Sequence, residues 1–406
     1  MAPLRQGLQE VLAWESGRLD PSSQFSQAQP GGDRSAMAVD PQALWAAIRR
    51  HRLEIVLAPW HDRLGWPQPL PQELVERARH QRLAALPLLA GAIEVLEALA
   101  VARVRALLIK GPALALQTTG DATARGRGDL DVLVDPCQLQ LAIVTLEGLG
   151  FRRLPGMAPL DLSSSWGRYA RWVGYELSLQ RGPLLLDLHW DLGPLRSSLP
   201  AFETLWQQRE LLTYQGRRLA TLGRRHSFLH SCDHGVKDRW ISLRSLVDIE
   251  RLARLLSEDD RQALGRYKAV RLSALVAHNV TRSPWLEAWG QIAPDRSGRR
   301  ALAVARWSQG QTVDDRGRLA WHPLGRLADW RHALLLARTP ADWIRTTASF
   351  VLLPGSFNDP KTGMDLSLPA ALVQRLGRIS RNLVTWAGPL GGPVNGLRGP
   401  GAGRWR

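Results

Sequence analysis

The stretch Ala106–Asp135, ALLIKGPALALQTTGDATARGRGDLDVLVD, decides how the rest of the chain is read. Leu107, Leu108 and Ile109 form an apolar run of the buried-strand kind that stops at Lys110-Gly111. Pro112 then sits where a helix can begin, because a missing N–H costs nothing in a first turn. Further on, Asp129-Leu130-Asp131-Val132-Leu133-Val134 alternates with the period of a strand, so Asp129 and Asp131 share one face. Two adjacent carboxylates raise each other's pKa, and a cation between them removes that cost. A third acid, Asp187, interrupts the apolar run from Leu184 to Trp190. Three oxygen ligands on neighbouring strands suit Mg²⁺, with Mn²⁺ as a substitute, and leave room for phosphate oxygens and water. The turn at Lys110-Gly111 offers backbone N–H groups and an ammonium to a triphosphate tail. Arg125 and Arg127 flank the acids and would neutralise phosphate charge.

Four segments carry a family resemblance in their order and spacing. They are Leu108-Ile109-Lys110-Gly111, the run from Arg127 to Val134, Leu186-Asp187-Leu188-His189-Trp190, and His234-Gly235 followed by Leu246-Val247-Asp248-Ile249. Together they resemble the nucleotidyltransferase-fold proteins related to DNA polymerase beta, and within them a bacterial group of uncharacterised nucleotidyltransferases. The likeness extends from about Met37 to Asn382 and implies transfer of a nucleoside monophosphate from an NTP to an acceptor hydroxyl, with release of pyrophosphate. Asp129 and Asp131 would then hold both metals. Asp187 would complete one metal site and help deprotonate the acceptor, while Lys110, Gly111, Arg125 and Arg127 position the triphosphate. The resemblance also puts His234 at the cleft, with Lys237 on the same wall. One departure is visible: the wider superfamily has Gly-Ser after the first strand, where this chain has Gly111-Pro112.

Other readings compete. Asp187, His189 and Asp191 share a strand face and would equally form a structural hydrogen-bonded group. His226, His230 and His234 recur every fourth residue, yet the outer two are about 12 Å apart along a helix, too far for one tetrahedral ion. A catalytically silent nucleotide-binding or scaffold protein could use the same fold. An RNA-directed transferase is a third reading, since the net charge is +16. Its arginines are scattered, however, without a basic block, which favours a small metabolite or protein side chain as the acceptor over nucleic acid.

The 406 residues are 45% hydrophobic and 22% charged, as in ordinary globular proteins. Cys137 and Cys232 make no CxxC pair, and the apolar, uncharged run from Leu83 to Ile93 is short for a membrane span, so a cytoplasmic protein without a membrane partner is expected. Composition divides the chain into a disordered segment 1–36, a helical region 37–102, a catalytic core 103–215, a helical domain 216–382 and a disordered Gly/Pro/Arg tail 383–406. Met37 is a second candidate start. Asp40 is an N-cap candidate, and Pro87 should break or kink the helix that begins near Pro71. Leu139, Ala142, Ile143 and Leu146 make a helical stripe closed by Gly150. Arg181-Gly182-Pro183 separates two runs as a hairpin would, and if the strand carrying Asp187 pairs beside Asp129 to Val134, all three acids meet at one sheet face. Beyond Pro200 the chain is expected to be helical, with helices such as Ser227 to Val236, Leu243 to Ser257, Asp259 to Val276 and Ala341 to Val351. The class is α+β, a small mixed sheet flanked by N- and C-terminal helical regions.

Overall fold

The computed structural model describes residues 1–18, 40–154, 162–193, 199–290, 294–311, 330, 332–337, 339–352, 369 and 373. Its centre is a seven-stranded mixed sheet in the order β3-β4-β5-β2-β1-β7-β6. The strands are β1 Ala106–Ile109, β2 Leu130–Val134, β3 Arg152–Arg153, β4 Glu176–Arg181, β5 Leu184–His189, β6 Glu210–Tyr214 and β7 Arg217–Thr221. β2 pairs antiparallel with β1 and parallel with β5, so the segment quoted first sits at the sheet's centre. The fold is therefore α+β, with helices outnumbering strands among the described residues.

Alternation sorts the central strands between two cores. Ala106 and Leu108 of β1, Leu130, Val132 and Val134 of β2, and Leu186 and Leu188 of β5 pack into one apolar cluster. It includes the buried stripes of α4 (Leu70–Val101) and α6 (Leu139–Gly148). Leu107, Ile109 and Leu133 point the other way, into a cluster built with α9 (Arg224–Lys237), α10 (Leu243–Arg254) and α12 (Lys268–Thr281). Asp131 is two residues from Leu133 and takes that second face, as do its β5 neighbours Asp187 and His189. The strand period thus turns the acids toward the C-terminal helices.

Local signals explain several elements. Asp40 caps α2 (Pro41–His51), its carboxylate accepting from the Gln42 N–H at 2.9 Å. At the end of α6, Gly150 has φ +87, and the Phe151 and Gly150 N–H groups donate to the Leu146 and Glu147 carbonyls. That is the paired bond pattern of a glycine-closed helix.

Four expectations are corrected. Residues 2–15 are helical, not disordered: α1 (Ala2–Glu15) buries Leu4, Leu8, Val11 and Leu12 in the larger core. α4 runs through Pro87 without a break, since Leu88, Ala92, Val95 and Leu99 are buried against the sheet. Each buried side chain of this kind contributes about 1.5–3 kcal/mol, which offsets the roughly 3 kcal/mol cost of an interior proline. The chain beyond Pro200 is not wholly helical, because β6 and β7 form a hairpin whose second strand pairs parallel with β1. The sheet accordingly extends past residue 215, and the Thr221 hydroxyl donates to the Leu108 carbonyl at 2.6 Å. Finally, the span expected as one helix from Asp259 to Val276 is two, α11 (Glu258–Leu264) and α12, separated at Gly265. By length and composition α4 could span a membrane, with a stretch of mean hydropathy 1.9. Here its buried stripe packs on the sheet, and its Glu94 and Glu97 pair with Arg181 and Arg217. The expected C-terminal tail, and the segment 19–36, lie outside the described residues.

Candidate active site

β1 ends in a turn that few sequences tolerate. Lys110 has φ +53 and ψ −147, a region non-glycine residues seldom enter, and Gly111 follows with φ +32. α5 (Gly111–Thr119) starts at once, with Pro112 in its first turn, and the Leu114 N–H closes on the Lys110 carbonyl at 2.9 Å. A Cβ on Gly111 would meet only the Asp129 carbonyl oxygen, at 3.7 Å, so the torsion and not the space favours glycine there. The lysine ammonium is aimed at the sheet: Lys110 Nζ lies 2.9 Å from Asp131 Oδ1.

Asp131 and Asp187 are directly paired in register on adjacent parallel strands. His189 Nε2 also contacts Asp131 Oδ1, at 3.1 Å, and its Nδ1 lies 3.5 Å from Glu176 Oε2 on β4. Ser178 Oγ donates to Asp187 Oδ1 at 2.6 Å, opposite it across the β4–β5 pair. These neighbours separate the two aspartates electrostatically. Burial works against the Asp131 carboxylate, but the Lys110 ammonium and the His189 bond outweigh it and hold its pKa far below the usual range. Asp187 goes the other way: burial raises it, and the negative charges of Asp131 and Glu176 add to that despite the Ser178 bond. The same packing thus shifts the two carboxylates in opposite directions, Asp131 down and Asp187 up.

The wall opposite the strands comes from α9. His234 Nδ1 is 3.0 Å from Asp238 Oδ2, and His230 meets the His234 ring edge-on with centroids 6.2 Å apart. Lys237 Nζ lies 4.8 Å from the centre of the Tyr175 ring. Burial pushes the Tyr175 hydroxyl up to about 12. Burial likewise disfavours charge on Lys237, yet Tyr175, Glu176 and Asp238 together raise its pKa, so it stays cationic. His230 is driven well below the ordinary histidine range by burial and by Lys110, His234 and His189, which puts this helix face against the acids.

The remaining sequence-derived residues separate. Asp129 precedes β2 and is exposed, with its carbonyl beside the Gly111 turn. Arg127 is exposed in the loop that leads to it. Arg125, by contrast, is committed to structure: Nη1 pairs with buried Asp248 of α10 at 3.1 Å, and Arg244 donates to its carbonyl at 2.6 Å. Its side chain fastens the loop to the helical domain, where the sequence reading had placed it on phosphate. Asp191 lies beyond the end of β5, its Oδ1 accepting from the Leu192 N–H at 3.2 Å. Glu176, Ser178 and Tyr175 were missed as site residues. The only trace of the first two in the sequence is their place on the polar side of an alternating run, which any half-buried strand also shows.

Among the described residues no three His, Cys, Asp or Glu side chains are gathered as a metal cage. The donor chemistry nevertheless fits a hard divalent cation. Asp131 and Asp187 present carboxylate oxygens side by side, and Mg²⁺ is ordinarily held by one or two carboxylates together with substrate phosphates. A histidine trio on α9 does not fit one ion, because His226 and His234 are eight residues, about 12 Å, apart along the helix.

No curated protein matches the chain. Residues 37–282 do match a family, and they contain the Lys110-Gly111 turn, both paired aspartates and the α9 wall. The protein therefore belongs to the family of uncharacterised nucleotidyltransferases.

Proposed function

We propose that this chain is a Mg²⁺-dependent nucleotidyltransferase that joins a nucleoside monophosphate from an NTP to a hydroxyl of a small metabolite or a protein side chain, releasing pyrophosphate. The observation that carries this reading is the register of Asp131 and Asp187, side by side next to the strained Lys110-Gly111 turn. A bound Mg²⁺, held by Asp131 and Asp187 with Asp129 at the strand entry, would neutralise charge on the phosphate oxygens. Lys110 and the first-turn N–H groups of α5 bind the triphosphate, and Arg127 reaches it from the loop. Asp187, with its raised pKa, accepts the proton of the acceptor hydroxyl as that oxygen attacks the α-phosphorus and the bond to pyrophosphate breaks. His189, bridging Asp131 and Glu176, holds the Asp131 carboxylate in orientation. His234 and Lys237 line the facing wall. The expected setting is cytoplasmic.

The test is binding of a nonhydrolysable NTP analogue with and without Mg²⁺ or Mn²⁺, followed by transfer of α-labelled nucleotide to an acceptor fraction. Binding that ignores the metal would overturn the reading. A silent nucleotide-binding scaffold is the second reading, favoured by Lys110 Nζ and His189 Nε2 both occupying Asp131 Oδ1. Metal-dependent binding with no pyrophosphate release from any acceptor would select it.

A further inference from the structure

The N-terminal turn of α9 borders a separate cleft of about 560 Å³. Its size falls in the range of small-molecule sites, roughly 300–1,000 Å³. α9 has no acid in its first turn and instead begins Arg224-Arg225-His226. Cations at this end of a helix are opposed by its dipole, and the same dipole attracts an anion. Arg224 turns to Glu210, at 3.5 Å. Arg225 lines the cleft and forms a long ion pair with Asp260, at 3.6 Å. Arg266, between α11 and α12, lines it too, its Nη2 donating to the Tyr267 hydroxyl at 3.1 Å.

A buried histidine adds a polar group to the same wall. His226 lines the cleft and is only 6% exposed, and its Nδ1 is buried with no hydrogen-bond partner. Leaving such a group unsatisfied costs about 1–3 kcal/mol. Burial and then Arg225 lower the His226 pKa, so the ring is neutral and can donate one hydrogen bond. Leu229 and Leu264 give the cleft an apolar side. We propose that this cleft binds a small phosphorylated molecule, its phosphate between Arg225 and Arg266 at the start of α9, hydrogen-bonded by His226, and its apolar body against Leu229 and Leu264. Guanidinium pairs and helix N-termini both suit a phosphate's several oxygens. His226 lies eight residues before His234, about 12 Å along the helix, so this is a different site from the catalytic wall.

The experiment is a titration of the full chain with inorganic phosphate at constant ionic strength, read as the rise in unfolding temperature. Lys110→Met removes the ammonium from the proposed triphosphate site and should leave a saturable rise. Arg225→Gln with Arg266→Gln should weaken the apparent affinity at least about tenfold. Thr204→Trp, which fills an exposed part of the cleft without removing a charge, should do the same and serves if the arginine pair variant does not fold. Succinate should give a smaller rise than phosphate. The proposal is overturned by no saturable rise in the wild type, by a rise lost in Lys110→Met but kept in the cleft variants, or by succinate matching phosphate.

Discussion

Asp131→Asn and Asp187→Asn should both abolish transfer while moving stability in opposite directions. Asp131 is the anionic partner of Lys110 and His189, and its side chain and that of Lys110 are only 12% and 21% exposed. Removing one member of a fully buried pair costs about 3–5 kcal/mol, whereas an exposed pair contributes about 0–1. This pair lies nearer the buried limit, and loss of the Asp131 charge also relieves Asp187, so a net cost of about 2 kcal/mol follows. In a cooperative unit of 150–250 residues that lowers Tm by about 4–8 °C. Asp187 is already destabilised as an anion by burial, Asp131 and Glu176, and an Asn carbonyl still accepts from Ser178. Asp187→Asn should therefore leave Tm unchanged or raise it. The two aspartates are not equivalent members of a repulsive pair, for which both amides would stabilise. Thermal unfolding by circular dichroism at pH 7, beside metal-dependent transfer falling by at least about 10²-fold in each variant, tests this. An Asp131→Asn protein as stable as wild type, or an Asp187→Asn protein destabilised equally, would refute the assignment of partners.

Other outcomes follow from the same contacts. Leu8→Ala in α1 should cost about 2–5 kcal/mol by urea unfolding, because Leu8 is fully buried; a change below about 0.5 would mean α1 is not docked. Arg125→Ala should lower Tm by stranding buried Asp248, whereas exposed Arg127→Ala should leave Tm alone and weaken NTP-analogue binding. Burial, Arg50 and Arg5 hold His51 at about 3, and burial brings His332 to about 4, both below the unfolded 6.5. The unfolded chain then binds protons the folded chain refuses, so their contribution is complete above about pH 6.5. It declines by about 1.4 kcal/mol per pH unit for each as pH falls. His51→Asn should flatten the stability profile between about pH 5 and 6.5, and an unchanged slope would count against a neutral buried ring.

What the sequence determined by itself is what short-range geometry controls. The period of two put Asp131 on one face of its strand, the glycine and proline after Lys110 marked a turn into a helix, and Arg181-Gly182-Pro183 marked the hairpin that carries Asp187. Asp40 and Gly150 announced helix ends through bonds made within a few residues. The β6–β7 hairpin also had a local mark, Gln215-Gly216 with both φ values positive, but its strands bury only Leu219 and Thr221 and their apolar signal is weak. Tertiary structure alone decided the rest, since the partners are far apart in sequence. Pro87 stays inside a helix because the sheet buries the residues after it, and α1 is ordered because the C-terminal helices cover it. Arg125 leaves the phosphate side because Asp248, buried on α10, claims its charge. The chemistry of the two aspartates was decided the same way: Lys110 and His189 fall on one and Ser178 and Glu176 face the other only once the strands are paired, and low-dielectric packing turns those neighbours into opposite pKa shifts.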